Sequence, residues 1–180
     1  DTEVILQLYE EKGVACLDDL NGMFSFAILD KNQNRLFCAR DRFGIKPFYF
    51  YCDANQFVFA SEIKAILQVP GIPNVPNWDE IQIYLTFQFS LGEGTFFTKI
   101  HKLLPGHSLL LDLTSSASPK IIKYWDLNFT PLSNRSEKDY ANELLSLLED
   151  TVRLQLRSDV PLGSHLSGGL DSTFVSCLTT

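Results

Sequence analysis

Met23-Phe24-Ser25-Phe26-Ala27-Ile28-Leu29, the polar turn D-K-N-Q-N over 30–34, and Arg35-Leu36-Phe37-Cys38-Ala39-Arg40 together decide the fold. Apolar residues fall at odd and even positions alike, so each run buries both faces and needs a layer on either side. The short turn makes the two strands antiparallel neighbours. Upstream, residues 1–12 place Val4, Ile5, Leu8 and Tyr9 on one helical face, with Gly13 as the C-cap and a second short helix over 16–20. Downstream, Gly44 and Pro47 turn the chain into strands over 48–52 and 57–60, joined by the hairpin loop D-A-N-Q, and Ser61 is placed to cap a helix over 62–68. The run P-G-I-P-N-V-P (70–76) breaks regular structure. A helix over 78–89, a strand over 108–113 and a partner strand over 121–125 follow. This pattern predicts an α+β layered sandwich. It also predicts an incomplete one, because the chain opens at Asp1, without an initiator Met, inside a helix, and much of the core is expected upstream.

A second pattern begins after Thr130–Arg135, the best connecting stretch. Ser136-x-x-Asp139 has the capping-box spacing, and Tyr140, Leu144, Leu145, Leu148, Val152 and Leu156 form a helical stripe. Asp159-Val160-Pro161 ends that helix. Leu162 to Leu166 reads as a short buried strand running into S-G-G-L-D-S, and Thr173 to Leu178 reads as the start of a helix. Strand, glycine loop and helix open a βαβ unit whose second strand is not reached, so this domain too is expected to be cut short. The expected division is 1–115, a connection over 116–135, and 136–180.

Composition bounds the function. Lys plus Arg is 15 and Asp plus Glu is 22, a net charge of -7, and no third of the chain is basic. A protein that neutralises nucleic-acid phosphates needs a basic face, so nucleic acid is excluded as a partner. No apolar run is long enough for a membrane span or a signal-peptide core. Cys16, Cys38, Cys52 and Cys177 contain no C-x-x-C pair and lie in apolar segments, as buried reduced thiols of a cytoplasmic protein do. His101, His107 and His165 have no metal-like spacing, and no metal ligands are assigned.

The chemistry concentrates in Ser167-Gly168-Gly169-Leu170-Asp171-Ser172. Two glycines let backbone N–H groups approach phosphate oxygens, the helix that follows adds unpaired donors, and the serines add hydroxyls. No G-x-x-x-x-G-K-[ST] is present and the loop holds no Lys, so it is not a Walker A loop. Arg40, Asp41, Arg42, Gly44 and Lys46 read either as an anion site or as a structured turn with an internal ion pair. Glu62 and Lys64 read as a solvated face or an interdomain contact.

S-G-G-L-D-S after D-V-P-L-G resembles the pyrophosphate loop of ATP pyrophosphatases, specifically of glutamine-dependent asparagine synthetases. L-N-G-M-F-S-F-A-I-L-D (20–30), A-R-D-R-F-G-I-K-P-F-Y-F (39–50) and F-A-S-E-I-K-A-I-L (59–67) are similar to the N-terminal nucleophile glutaminase domain of those enzymes. F-x-x-I-x-K-L-L-P-G-H (97–107) resembles the stretch that follows it there. The resemblance spans essentially the whole chain. It implies a glutaminase sandwich followed by the first strand-loop-helix of an α/β ATP-pyrophosphatase domain.

It further implies that Ser167, Gly168, Gly169, Leu170, Asp171 and Ser172 hold the pyrophosphate of ATP, and that the main chain of His165 and Leu166 borders the adenine. The family has an aliphatic or aromatic residue where His165 stands, which leaves its side chain as a core-adjacent histidine. Asp1 matches the aspartate that contacts the α-ammonium of glutamine, or else is a helix-cap acid. The implied reaction uses an N-terminal Cys to free ammonia from glutamine. ATP and Mg²⁺ activate aspartate as an acyl adenylate with release of pyrophosphate, and ammonia then displaces AMP to give asparagine. No cysteine is N-terminal here, so no catalytic residue is assigned and the isolated chain is expected to be inactive. Two alternatives stay open: another adenylating amide-forming ligase on the same plan, such as a β-lactam synthetase, and a non-catalytic truncated remnant.

Overall fold

The computed structural model describes residues 2–115, 118–130 and 135–179. It divides into two compact units, Asp1–Leu127 and Asn128–Thr180. In the first, helix α1 (Thr2–Lys12) passes at Gly13 (φ +59°) into a 3-10 turn, Gly13–Asp18, so the second helix begins where a cap was expected. Strands β1 (Ser25–Asp30) and β2 (Arg35–Arg40) pair antiparallel, Ile28 opposite Phe37. Asp30 makes their turn: its Oδ1 accepts the backbone N–H groups of Asn32 and Gln33, both at 3.0 Å. Strands β3 (Tyr49–Cys52) and β4 (Phe57–Ala60) form a second hairpin built the same way, with Asp53 Oδ1 accepting from Asn55 and Gln56.

Helix α2 (Ile63–Ile66) is shorter than expected, and its N-cap is Glu62 without a side-chain bond, so Ser61 does not cap it. Helix α3 (Trp78–Phe87) is capped by Asn77 and ends at Gln88 in a left-handed conformation (φ +63°). Strand β5 (Ile100–Lys102) pairs with β3, while β6 (His107–Asp112) lies between β2 and β7 (Lys120–Lys123). The two antiparallel sheets therefore run β1-β2-β6-β7 and β4-β3-β5.

Side-chain alternation stacks these sheets into layers. Phe37 and Ala39 of β2 join Tyr9, Cys16, Leu17 and Leu20 beneath α1 and the 3-10 turn. Cys38 between them points the other way, against Phe48, Phe50, Leu103, Leu109 and Leu111 in the space between the sheets. On β3 the next residue along, Tyr51, packs with Ile66, Ile72 and Ile100 below α2. The order is helix, sheet, sheet, helix, and a buried Phe37 alone contributes about 1.5–3 kcal/mol of transfer free energy. The expectation that both faces are buried holds for β2. It fails at the end of β1, where Leu29 is exposed because β1 is the edge of its sheet and the second sheet does not reach under it.

In the second unit, α4 (Glu137–Gln155) begins with the full capping box: Asp139 N–H donates to Ser136 Oγ at 3.3 Å and Ser136 N–H to Asp139 Oδ2 at 3.0 Å. Helix α5 (Leu170–Leu178) packs against it. The strand expected over 162–166 is absent, and those residues are exposed and irregular. A strand exists only as part of a ladder, and among the described residues none lies beside this segment to receive its bonds. Residues 131–134 of the expected connection, and the 116–117 turn, lie outside the described residues. Among the described residues no helix is long and apolar enough to cross a membrane.

Candidate functional site

The loop of the second unit is assembled by backbone geometry. Gly168 takes φ +84°, a left-handed conformation that L side chains rarely adopt, and a Cβ placed there meets nothing within 4 Å. The turn it makes delivers Gly169 as N-cap of α5, which starts at Leu170, three residues earlier than expected. Leu170, Asp171 and Ser172 are thus the first helical turn. No side chain caps this end, so their N–H groups point out of the helix with its positive dipole end behind them. Leu170 is 85% exposed, which makes the approach open to a ligand.

Hydroxyls frame the loop on both sides. Ser167 Oγ and Ser172 Oγ are 2.9 Å apart, closing the loop across its mouth, and Ser172 Oγ also donates to Gly169 O at 3.1 Å. Thr173 donates through both its N–H and its Oγ1 to the same carbonyl, at 3.1 and 2.8 Å. Ser164 Oγ meets Ser176 Oγ at 2.7 Å and ties the segment before the loop to α5. The S-G-G-L-D-S motif does not point to Ser164, Thr173 or Ser176; hydroxyls spaced three or four apart on α5 are the signal for the last two.

Beside this helix end runs a cleft of about 640 Å³. Its apolar floor is Leu148, Val152, Leu156, Leu162 and Val175, and its polar side is Ser164, His165, Asp171 and Ser172. His165 is exposed and lines the cleft, so it is not the core-adjacent histidine expected. The structure brings His165, Asp171 and Ser172 onto one cleft, with Leu166 to Leu170 exposed alongside. Asp1 lies outside the described residues.

The Arg40–Lys46 segment is a structural turn. Asp41 is 1% exposed, and its carboxylate accepts the backbone N–H groups of Phe43, Ile45 and Lys46 at 3.2, 2.9 and 2.9 Å. Arg40 donates to the carbonyls of Lys46, Leu103 and Gly44, each at 2.7 Å. Arg42 donates to the carbonyls of Leu20, Leu17 and Asp18. The guanidinium donors of Arg40 and Arg42 that an anion would need are engaged with backbone carbonyls, and the Asp41 carboxylate takes backbone N–H groups in place of the expected ion pair. Glu62 and Lys64 pair with each other on the surface, as a solvated face does.

All four cysteines are thiols, Cys16 and Cys38 buried, Cys52 half-buried and Cys177 exposed, so burial holds for two of the four. Burial pushes the Cys38 thiol up to about 12. Neither buried thiol is set up as a nucleophile.

Comparison with known proteins agrees with both units. The family model described as glutamine amidotransferase domain matches residues 1–125, and that described as asparagine synthase matches 143–180. Asparagine synthetase [glutamine-hydrolyzing] 2 of Bacillus subtilis is 41% identical over 98% of this chain and 25% of its own length. Asparagine synthetase [glutamine-hydrolyzing] 3 of the same organism is 38% identical over 99% of this chain and 28% of its own. Amidase chyE of Penicillium rubens is 34% identical over 98% of this chain and 26% of its own. The chain spans about a quarter of the length of these curated relatives. With its two-sheet unit matched from end to end, the chain belongs to the glutamine amidotransferase domain family.

Proposed function

We propose that this chain is part of a glutamine-dependent, ATP-consuming ligase that makes asparagine from aspartate through a β-aspartyl-AMP intermediate. In this reading, residues 167–172 bind the pyrophosphate portion of ATP. The observation that carries it is the left-handed Gly168 leading into an uncapped α5, whose first N–H groups open beside an apolar-floored cleft. An apolar floor suits a nucleobase and an open helix end suits a polyphosphate. Each charge-assisted bond to a phosphate contributes about 1.5–3 kcal/mol, so three amides are sufficient for an anchor. The same amides stabilise negative charge as it collects on departing pyrophosphate, which lowers the barrier to adenylation.

Among the described residues Asp171 is the only carboxylate lining the cleft, and no three His, Cys, Asp or Glu side chains are grouped to hold a metal. Mg²⁺ would come with the nucleotide and neutralise charge on its phosphates, and Asp171 is the carboxylate here that would hold it. The main chain of His165 and Leu166 borders the adenine, and Asp1 receives the α-ammonium of glutamine. The two-sheet unit is read as a sandwich of the N-terminal nucleophile type that supplies ammonia, in a cytoplasmic protein whose buried Cys16 and Cys38 suit a reducing compartment. A second reading, in which the acceptor is a carboxylic acid other than aspartate, is kept beside it because relatives of the same similarity carry a name other than asparagine synthetase, the amidases chyE and chry2.

In the complete gene product, Gly168→Val forces a β-branched residue into the left-handed region, and Asp171→Ala removes the cleft's carboxylate. Each is expected to abolish aspartate-dependent pyrophosphate release from ATP while glutamine hydrolysis continues. Unchanged pyrophosphate release in both variants refutes the loop assignment. Release that depends on a different carboxylic acid selects the second reading.

A further inference from the structure

Among the described residues of α1, Tyr9 alone is buried. Ile5 and Leu8 pack beside it in part, while Thr2, Glu3 and Val4 of the first turn are exposed. The Tyr9 ring stacks on Phe37 of β2 with centroids 5.4 Å apart. Its hydroxyl donates to Asp30 Oδ2 at 2.9 Å and accepts from Arg35 Nε at 3.1 Å. Asp30 and Arg35 face each other across the β1–β2 ladder, 3.7 Å apart. The other Asp30 oxygen holds the turn between those strands, so one carboxylate joins helix to hairpin. Apolar packing is non-directional and tolerates a helix that slides or rotates by a fraction of an ångström. A hydroxyl with one donor and one acceptor partner does not, because both bonds weaken as distance and angle leave their optimum. The network therefore sets the register of α1 on the sheet.

We propose that Tyr9, held by Asp30 and Arg35, is a positioning residue for glutamine: it fixes the helix into which Asp1 leads, and so sets how tightly the α-ammonium group is bound. This rests on Asp1 receiving that ammonium, as read above. Tyr9 acts through α1 rather than on the substrate. A helix is stiff along its length, so a displacement at Tyr9 reaches Thr2, about 10 Å along the axis, undiminished. Asp1 directly precedes Thr2 in the sequence. A carboxylate–ammonium bond is charge-assisted and depends steeply on placement. It also lies away from the carboxamide that reacts, so its weakening appears in KM rather than in kcat.

The test is steady-state glutamine hydrolysis by the complete protein. Tyr9→Phe keeps the ring and removes the hydroxyl. It is expected to raise KM for glutamine about tenfold with kcat little changed, short of the roughly hundredfold that a full ångström of misplacement can cost. Arg35→Gln leaves the Tyr9–Asp30 bond in place and is expected to raise KM about threefold; it decides by the same criteria if Tyr9→Phe does not fold. Glutaric acid monoamide is glutamine without its α-amino group and offers Asp1 nothing to bind. As a competing inhibitor it is expected to act on both variants as it does on wild type. An unchanged KM for glutamine overturns the proposal, and so does a fall in kcat at unchanged KM. An equal loss of affinity for the monoamide also overturns it, because that marks a general loosening of the fold. Asp1→Ala separates the two levels. If it leaves KM for glutamine unchanged, or if the unsubstituted protein hydrolyses no glutamine, the reading of Asp1 falls and this inference with it. If Asp1→Ala raises KM while Tyr9→Phe and Arg35→Gln do not, the reading of Asp1 stands and only the role of Tyr9 is lost.

Discussion

Asp41→Ala is the perturbation that most directly separates a structural turn from an anion site at residues 40–46. The wild-type carboxylate is 1% exposed and accepts three backbone N–H groups, from Phe43, Ile45 and Lys46. Its own backbone is equally committed, with N–H donating to Phe24 O and the carbonyl accepting from Gly44 and Gly106. Each hydrogen bond to an ionised acceptor contributes about 1.5–3 kcal/mol net, but the freed amides of a surface turn regain some water. The expected loss is therefore about 3–4 kcal/mol, a large fraction of the roughly 5–15 kcal/mol that holds a domain together. Asp41→Asn keeps the volume and one acceptor but turns an NH₂ toward backbone donors, so about 2–3 kcal/mol is expected. Equilibrium urea unfolding measures both. Trp125 fluorescence gives a local signal, since its ring meets Phe43 of the same turn edge-on at 5.1 Å. A midpoint for Asp41→Ala corresponding to less than about 1 kcal/mol of destabilisation refutes the reasoning, because three bonds to a buried carboxylate cannot be that weak.

Gly44 should resist substitution for two separate reasons: φ is +65°, and a Cβ there lies 2.7 Å from Pro105 Cγ and 3.0 Å from Arg40 Cζ. Gly44→Ala is expected to cost about 2 kcal/mol in the same urea assay, whereas Gly22→Ala, with negative φ and open space around it, is expected to be neutral or slightly stabilising. Alkaline pH should also act on the connection between the sheet and the segment after β7, where Tyr124 donates its hydroxyl to Arg40 O at 2.7 Å. Burial raises this phenol to about 12. Its folded pKa lies above the unfolded value near 10, so its contribution is complete below pH 10 and is lost as pH rises toward 12. Tyr124→Phe should show a shallower decline in thermal midpoint over that window than wild type, and an equal decline would refute the assignment.

The parts of the fold that were legible in the sequence are those whose cause is local. The two hairpins announce themselves because each begins with an aspartate, Asp30 or Asp53, that can bond the backbone two and three residues on. The capping box at Ser136 and Asp139 is likewise a four-residue interaction and forms as spaced. β5 was not legible, because Ile100-His101-Lys102 is a strand only through its pairing with β3, about fifty residues earlier in the chain. Leu162 to Leu166 shows the converse: its composition is that of a buried strand, but composition supplies no ladder partner.

The two loops differ in the kind of residue that carries each. In Arg40-Asp41-Arg42 the alternating charges suggest ion pairs, but every charged group bonds backbone instead. The signal was in the next residues: an aspartate three before a glycine in a turn is the pattern in which a carboxylate organises the amides that follow it. In Ser167–Ser172 the helix starts earlier than composition suggests, since Asp171 and Ser172 look like loop residues and are in fact its first turn. That difference changes the chemistry. A loop of free serines offers hydroxyls, whereas here Ser167 and Ser172 are bonded to each other, and what remains directed outward is backbone N–H at a helix end. Such donors are fixed in place and need no reorganisation when charge develops in front of them, but they carry only a partial charge. A site built this way binds through the placement of its amides rather than through a charged side chain, so Gly168, which turns the chain into the helix end, matters more than any hydroxyl of the loop.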